Sequence, residues 1–319
     1  MTTICETNRP VNPNGPRIGR TDLLMLMTIM LWAVNLSVIK IGLRIFSPDA
    51  FNAVRLALAS AAYVAVLAFL PGGGRFARKG DGWKAAGLGL LGITGYQLFF
   101  IQGINVMNAS SASIVMGTSP IFIALLSTAL RQERICWAGW MGIGFSIVGF
   151  VLVVSGDNGG LALSWDALRG AVLILLANAC WAGYTVFSKP LLARNDAFRM
   201  AAVGTIAGTA LYLPFTVPEL LATDWSQVTW GGWGAIAYSG LVAIFLCFVI
   251  WYESVRKVGS TKTGIYGNLT PVFAILFAGI VLGERLAGFQ IAGAALTLFG
   301  VYLTRSGYRF FERRARASA

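Results

Sequence analysis

Chemistry on a bound molecule needs a convergent nucleophile, acid–base or metal set, and neither a histidine nor a mid-membrane carboxylate is available in this sequence to build one. Its 319 residues contain no histidine, which removes histidine triads, histidine metal sites and histidine proton relays together. The thirteen acids lie in tails, loops and helix ends, with Asp22 and Glu253 the nearest to exceptions. Cys5, Cys136, Cys180 and Cys247 have neither paired nor metal-ligand spacing and read as reduced packing residues. The expectation is no metal, no cofactor and no enzyme. What the chain does offer is a set of uncharged side chains inside otherwise apolar runs: Trp32 with Asn35, Tyr96 with Gln97, Asn178 with Trp181 and Tyr184, and Tyr266 with Asn268. Such groups could stack on a small molecule and hydrogen-bond a zwitterion's carboxylate and ammonium. Simple packing and interhelical hydrogen bonding are the alternatives for each.

The elements that must position these residues are membrane helices. Charged residues are 12% of the chain and apolar residues 56%, with a mean hydropathy of +0.70. A soluble domain carries about 25% charged residues. A helix crosses a hydrocarbon core of about 30 Å in roughly 20 residues. Apolar runs between charges and Gly/Pro breaks predict ten such helices, over 22–44, 49–70, 84–105, 110–130, 136–154, 168–190, 198–217, 231–254, 261–282 and 288–305. The expected fold is therefore an all-α membrane protein of ten transmembrane helices.

The bases set the orientation. Counted over alternate loops and both tails, twenty lysines and arginines fall on one side, against Lys40, Arg44, Arg169 and Arg285 on the other. By the positive-inside rule both termini are cytoplasmic. The net charge of +12 is thus a topology signal, and no nucleic-acid partner is expected.

The chain also contains itself twice. A shift of 151 aligns 109–152 with 260–303 without a gap, with nine identities in 44 positions. Pro120, Glu133, Arg134, Gly142 and Gly149 recur as Pro271, Glu284, Arg285, Gly293 and Gly300. Trp32 with Lys40 is echoed by Trp181 with Lys189, and Asp49-Ala50-Phe51 by Asp196-Ala197-Phe198. Each half then holds five helices, and because five is odd the second copy lies inverted in the membrane. The organisation expected is a disordered tail (1–20), a first repeat (21–156), a second repeat (165–306) and a basic tail (307–319). Inverted repeats are an architecture of secondary carriers, whose substrate sits near the midplane between the repeats.

Pro120 and Pro271 each fall near mid-helix, where the ring removes an amide and crowds the carbonyl four residues back, at Met116 and Gly267. Exposed backbone at that depth belongs beside a wet cavity or inside protein, so each is a hinge candidate or an inert packed kink. Trp32 and Trp181 lie too deep for an interfacial belt and would stack on cargo, gate it, or pack. Trp83, Trp137, Trp140, Trp165, Trp225, Trp230, Trp233 and Trp251 fit the belt. Lys40 and Lys189, near opposite mouths, either snorkel or gate. Arg55, inside the second span, is expected to pair with a carbonyl or a carboxylate. Gly204 and Gly208 permit close helix approach.

These residues resemble the EamA-type drug/metabolite transporter superfamily: ten helices in a five-plus-five repeat, with Pro-x12-Glu-Arg closing the fourth helix of each half, over about 22–305. Within it the chain looks most like the amino-acid exporters, including the aromatic ones. The resemblance implies a cavity lined by spans 1, 3, 4, 6, 8 and 9, with 5 and 10 peripheral. It implies a carrier in the cytoplasmic (inner) membrane that exports small neutral metabolites, amino acids first, by alternating access, as a monomer or weak homo-oligomer in the lipid bilayer. The alternative is a nucleotide-sugar or sugar-phosphate antiporter, with Arg256, Lys257 and Lys262 as candidate phosphate ligands. No carboxylate is expected at mid-membrane to be protonated in transit, which disfavours classical proton antiport.

Overall fold

The computed structural model describes residues 19–69, 76–130, 137–155, 165–258, 263, 266–285 and 287–317. Most of the expected N-terminal tail, the Glu133–Arg134 pair, Arg131, Lys262 and the 156–164 linker lie outside these, as do the side chains of Asn268 and of 304–317.

Among the described residues the chain is helical throughout, with no strand. Helices α1 (Arg20–Gly42) and α2 (Pro48–Phe69) come first. Helix α3 (Asp81–Gly89) continues through a π-helical stretch (Leu90–Gly95) into α4 (Tyr96–Val106). Then follow α5 (Ala109–Met116), α6 (Ser119–Ala129) and α7 (Trp137–Ser155). The second half opens with α8 (Trp165–Leu192) and α9 (Ala197–Ala222). Helix α10 (Trp230–Ala237) runs through a second π stretch (Tyr238–Leu246) into α11 (Cys247–Val258). Helices α12 (Thr270–Leu282) and α13 (Gly288–Ala317) complete the chain.

Seven helical stretches are long and apolar enough to cross a membrane, and shorter apolar helices cover Gly139–Val153, Thr270–Leu282 and Gly288–Leu303. These helices fall on the runs that hydropathy picks out, with three differences of physical interest. Helix α1 begins at Arg20, where the Asp22 carboxylate accepts the amide of Gly19 at 2.7 Å. Helix α13 does not stop at 305 but continues to Ala317, through the stretch expected to be a tail. The proline helices are broken rather than bent. The chain leaves helix at Gly117–Thr118 and restarts at Ser119, with Pro120 in the new first turn. In the second half a 3₁₀ turn, Gly267–Leu269, precedes the restart at Thr270–Pro271. Proline suits a first turn because the amide it lacks would be unpaired there anyway.

Helices α7 and α13 pack backbone to backbone. A Cβ on Gly149 would collide with the carbonyl of Gly293, and one on Gly300 with the carbonyl of Gly142 and with Ser146. Between them the Ser146 hydroxyl donates to the carbonyl of Thr297 at 3.1 Å. Residue numbers rise along one helix as they fall along the other, so the pair is antiparallel. The shift of 151 converts Gly142 into Gly293, Ser146 into Thr297 and Gly149 into Gly300. Each contact therefore maps onto the other, which is the self-complementary pattern of a two-fold axis. Gly204 and Gly208 of α9 meet Gly89 of α3 just as closely, within the chain.

Seven of the eight tryptophans assigned to an interfacial belt are exposed, from Trp225 at 37% to Trp230 at 92%. The eighth, Trp251, is 3% exposed and belongs to the interior. Its helix runs to Val258 rather than ending near 254, which leaves Trp251 well short of the end, and the π stretch before it re-aims its face.

Candidate functional site

A cavity of about 100 Å³ lies where the two broken helices meet. Ser119 and Pro120 of α6 and Thr270 of α12 line it, as do Met116 and Gly267, whose carbonyls would have bonded the amides that Pro120 and Pro271 lack. The break at Gly117–Thr118 is held by α8: Asn178 Nδ2 donates to the carbonyl of Val115 at 3.0 Å and to Thr118 Oγ1 at 3.1 Å. The Val115 carbonyl also accepts from Thr118 Oγ1 at 2.7 Å and from the Thr118 amide at 3.1 Å, so the bond from Asn178 ties an already paired break to a second helix. The first turns of α6 and α12 both open onto the cavity, so two helix N-termini contribute partial positive charge to it.

One wall is aromatic. The ring of Trp32 lies 6.0 Å from Trp181 and 5.3 Å from Trp251, and Trp181 lies 5.4 Å from Trp251, with Phe248 against both Trp32 and Trp181. Trp32 Nε1 donates to the carbonyl of Ala243 at 2.8 Å, a carbonyl inside the second π stretch. Tyr96 stacks on Phe100 at 5.0 Å and reaches Trp181 at 5.4 Å. The tryptophans that the repeat pairs in sequence thus form one cluster, joined by Trp251.

The other wall is polar. Three cavity-lining residues carry a buried side-chain atom with no hydrogen-bond partner: Asn35 Oδ1, Ser119 Oγ and Trp251 Nε1. An unpaired buried polar atom costs about 1–3 kcal/mol, so folding alone does not favour three beside one cavity. Arg55 also lines it, with its Nε bonded to Asn52 Oδ1 at 2.7 Å, Nη1 to Ser239 Oγ at 2.8 Å and Nη2 to Gln97 Oε1 at 2.7 Å. The expected partner was a carbonyl or a carboxylate; these are two amide carbonyls and a hydroxyl.

Of the residues singled out from sequence, Trp32, Asn35, Tyr96, Gln97, Asn178, Trp181 and Pro120 line the cavity. Tyr184, Tyr266, Pro271, Lys40 and Lys189 do not. Tyr184 packs on Gly92 and lies 5.3 Å from Tyr252, one layer out from the tryptophans. The Tyr266 hydroxyl bonds Asp22, tying the N-terminal turn of α1 to the second proline break. Pro271 is buried against Gly117 instead of facing the void. Lys40 Nζ reaches the carbonyl of Asn105 at 3.2 Å, and Lys189 is exposed on α8. Arg55, Trp251 and Phe248 line the cavity without having been proposed for it, whereas Ser119 and Thr270 are polar groups that the sequence places at the two proline breaks. All six spans expected to line a cavity do so, and the second span joins them through Arg55 alone.

The family model for the EamA-like transporter family matches the chain twice, over residues 19–155 and 168–306. The chain is 29% identical over 306 residues to a probable terminal-alkyne amino-acid exporter of Streptantibioticus cattleyicolor, covering 95% of this chain and 98% of that one. It is 27% identical over 312 residues to a probable amino-acid metabolite efflux pump of Salmonella typhimurium, covering 94% and 100%. An uncharacterized transporter of Bacillus subtilis, YyaM, is 25% identical over 262 residues, covering 82% and 85%. A solved crystal structure at 20% identity superimposes with a TM-score of 0.66 over 92% of this chain and 98% of that one, which speaks to the fold alone. With its many apolar helices and its two matched halves, this multi-pass membrane protein belongs to the EamA-like transporter family.

Proposed function

We propose that the protein is a secondary carrier that exports small neutral metabolites, amino acids first among them, across the cytoplasmic membrane by alternating access. The observation that carries the reading is the cavity at the meeting of the two proline breaks, walled by indoles and bordered by unpaired polar atoms. Aromatic faces would take an apolar side chain, and the unpaired donors and acceptors would take a charged backbone end. The names of the two exporter relatives support the same cargo class.

In this reading the three shorter apolar helices also cross the bilayer. That gives ten crossings, two five-helix units over 21–156 and 165–306, and both termini in the cytoplasm. The antiparallel two-fold contact of α7 with α13 supports the inversion. Helices that restart at proline supply flexible joints beside the cavity, so rocking of the units about Pro120 and Pro271 would expose it to each side in turn. Lys40 and Lys189 then belong to the two mouths rather than to the cargo. The small-molecule substrate and the bilayer are the partners in this reading, with the protein a monomer or weak homo-oligomer.

The nucleotide-sugar or sugar-phosphate alternative is not favoured. A phosphate site wants two or more converging bases. Among the described residues Arg55 is the single base lining the cavity, whereas Arg256 and Lys257 are paired with Glu253 at 2.8 Å and 3.0 Å.

Counterflow tests the proposal. Proteoliposomes are loaded with one unlabelled amino acid at a time, and entry of a labelled one is followed. Saturable uptake stimulated by internal amino acid supports the carrier; uptake that never saturates or never responds to the loaded compound contradicts it.

A further inference from the structure

Arg55 is buried to 1% exposure in the middle of the bundle. Three of its five N–H groups are spent on Asn52, Ser239 and Gln97, all neutral, which leaves one N–H on each terminal nitrogen. The rings of Phe51 and Phe100 lie 5.6 Å and 5.7 Å from its central carbon. Those faces attract the cation but do not neutralise it. Among the described residues no carboxylate lies within ion-pairing distance of Arg55, and no other charged side chain lines the cavity. A buried guanidinium without an anion is an expensive arrangement in a membrane protein, and such groups mark cargo pathways.

The surroundings hold this cation in a fixed pose. Gln97 follows the first π stretch by two residues, and Ser239 lies inside the second. The π stretches thus occupy the third helix of each half, and both deliver a partner to one guanidinium. Bulges of this kind alter which residues face inward and are frequent at functional sites. The remaining electropositive groups point the same way: the unpaired Trp251 Nε1–H and the first turns of α6 and α12 all border the same space.

We propose that Arg55 is the anchor for a cargo carboxylate, so that the cavity selects molecules bearing one carboxylate beside an apolar or aromatic group. The two remaining N–H groups take the carboxylate as a fork, the arrangement that favours arginine over lysine at such sites. The tryptophan cluster covers the apolar end, and Asn35 Oδ1 and Ser119 Oγ accept from the cargo's ammonium where it has one. The transport consequence rests on the carrier reading above; the binding assignment does not.

Calorimetric titration of the purified protein with four matched probes tests it: 3-phenylpropionate, L-phenylalanine, L-phenylalaninamide and phenethylamine. The two carboxylates are expected to bind about 10- to 100-fold more tightly than the two compounds without one. Arg55→Gln brings the two classes within about threefold of each other, and Arg55→Lys keeps part of the preference. Gln97→Glu is the control for folding, because it gives the guanidinium an internal anion while keeping the cavity's shape. It is expected to stay monodisperse and to lose the carboxylate preference. A wild type that binds phenethylamine as well as 3-phenylpropionate overturns the assignment. So does a folded Arg55→Gln or Gln97→Glu protein that keeps the preference. If the preference behaves as expected but no amino acid supports counterflow, the anchor stands and the amino-acid cargo falls.

Discussion

Two of the places where the halves of the chain touch are built on opposite principles. Between α7 and α13, glycines bring backbone against backbone and Ser146 donates to the carbonyl of Thr297, while within α13 Thr297 Oγ1 is satisfied by the carbonyl of Gly293 at 2.9 Å. Around the cavity, helices are interrupted, three buried polar atoms lack partners, and a guanidinium lacks an anion. Lipid gives helices no hydrophobic reason to associate, so close packing of small residues is what fastens the first region. The second region gives up that satisfaction. In the carrier reading proposed above, a ligand would complete the unpaired groups and the broken helices would serve as joints.

The contrast is broken most severely at the fastening. Gly149→Leu or Gly300→Leu forces a branched side chain into a backbone contact, and overpacking of this kind costs about 3 kcal/mol or more. Loss of the monodisperse peak on size exclusion is expected for both, whereas a stable, active Gly149→Leu protein would show that the contact is not needed. Next in size is Trp181→Ala, which removes the ring that five other aromatic side chains pack around and costs about 3 kcal/mol. Its transport defect therefore mixes folding with function, and Trp181→Phe separates them by keeping most of the packing. Thermal unfolding of the pair should show a large shift for alanine and a small one for phenylalanine, with transport reduced in both.

Smaller changes sharpen the same comparison. Asn178→Leu strips the Val115 carbonyl and Thr118 hydroxyl of a donor and should destabilise the break by about 1–2 kcal/mol, read as a lower unfolding midpoint and altered transport. Trp251→Phe removes an indole N–H that has no partner. Stability should hold to within about 0.5 kcal/mol or rise, while the apparent affinity for cargo falls about three- to tenfold. A stability loss of several kcal/mol in Trp251→Phe would mean that the N–H is paired after all.

Much of this was legible in the order of residues because membrane helices are written plainly. Long apolar runs and proline spacing mark the helices and their breaks, and the shift of 151 pairs Gly142 with Gly293 and Gly149 with Gly300, while the crossed contacts of Gly142 with Gly300 and Gly149 with Gly293 appear only in the fold. The pairing of Trp32 with Trp181 leads to the aromatic wall, and mid-span polar residues lead to Asn35, Gln97 and Asn178. Arg55 was visible as a charge inside a span, and Asn52 lies one turn away on the same helix, but Gln97 and Ser239 come from two distant stretches of chain that no local pattern connects. Trp251 was misread because depth was counted from a predicted helix end, and the π stretch at Tyr238–Leu246 shifts the helix face in a way that a 3.6-residue period does not register. Tyr184 and Tyr266 sit on helices that line the cavity yet face neighbouring layers, a distinction that depends on rotation about the helix and not on sequence position.

The central claim is that the cavity, and not the α7–α13 seam, opens to each side of the membrane in turn. The most direct test replaces Cys5, Cys136, Cys180 and Cys247 with serine, then introduces Ser119→Cys at the cavity or Ser146→Cys at the seam. A membrane-impermeant thiol reagent is applied to right-side-out and to inside-out vesicles. The account predicts labelling of the Ser119→Cys protein from both sides, slowed by transported cargo, and no labelling of the Ser146→Cys protein from either. Labelling of the cavity position from one side only, whatever cargo is present, would contradict it.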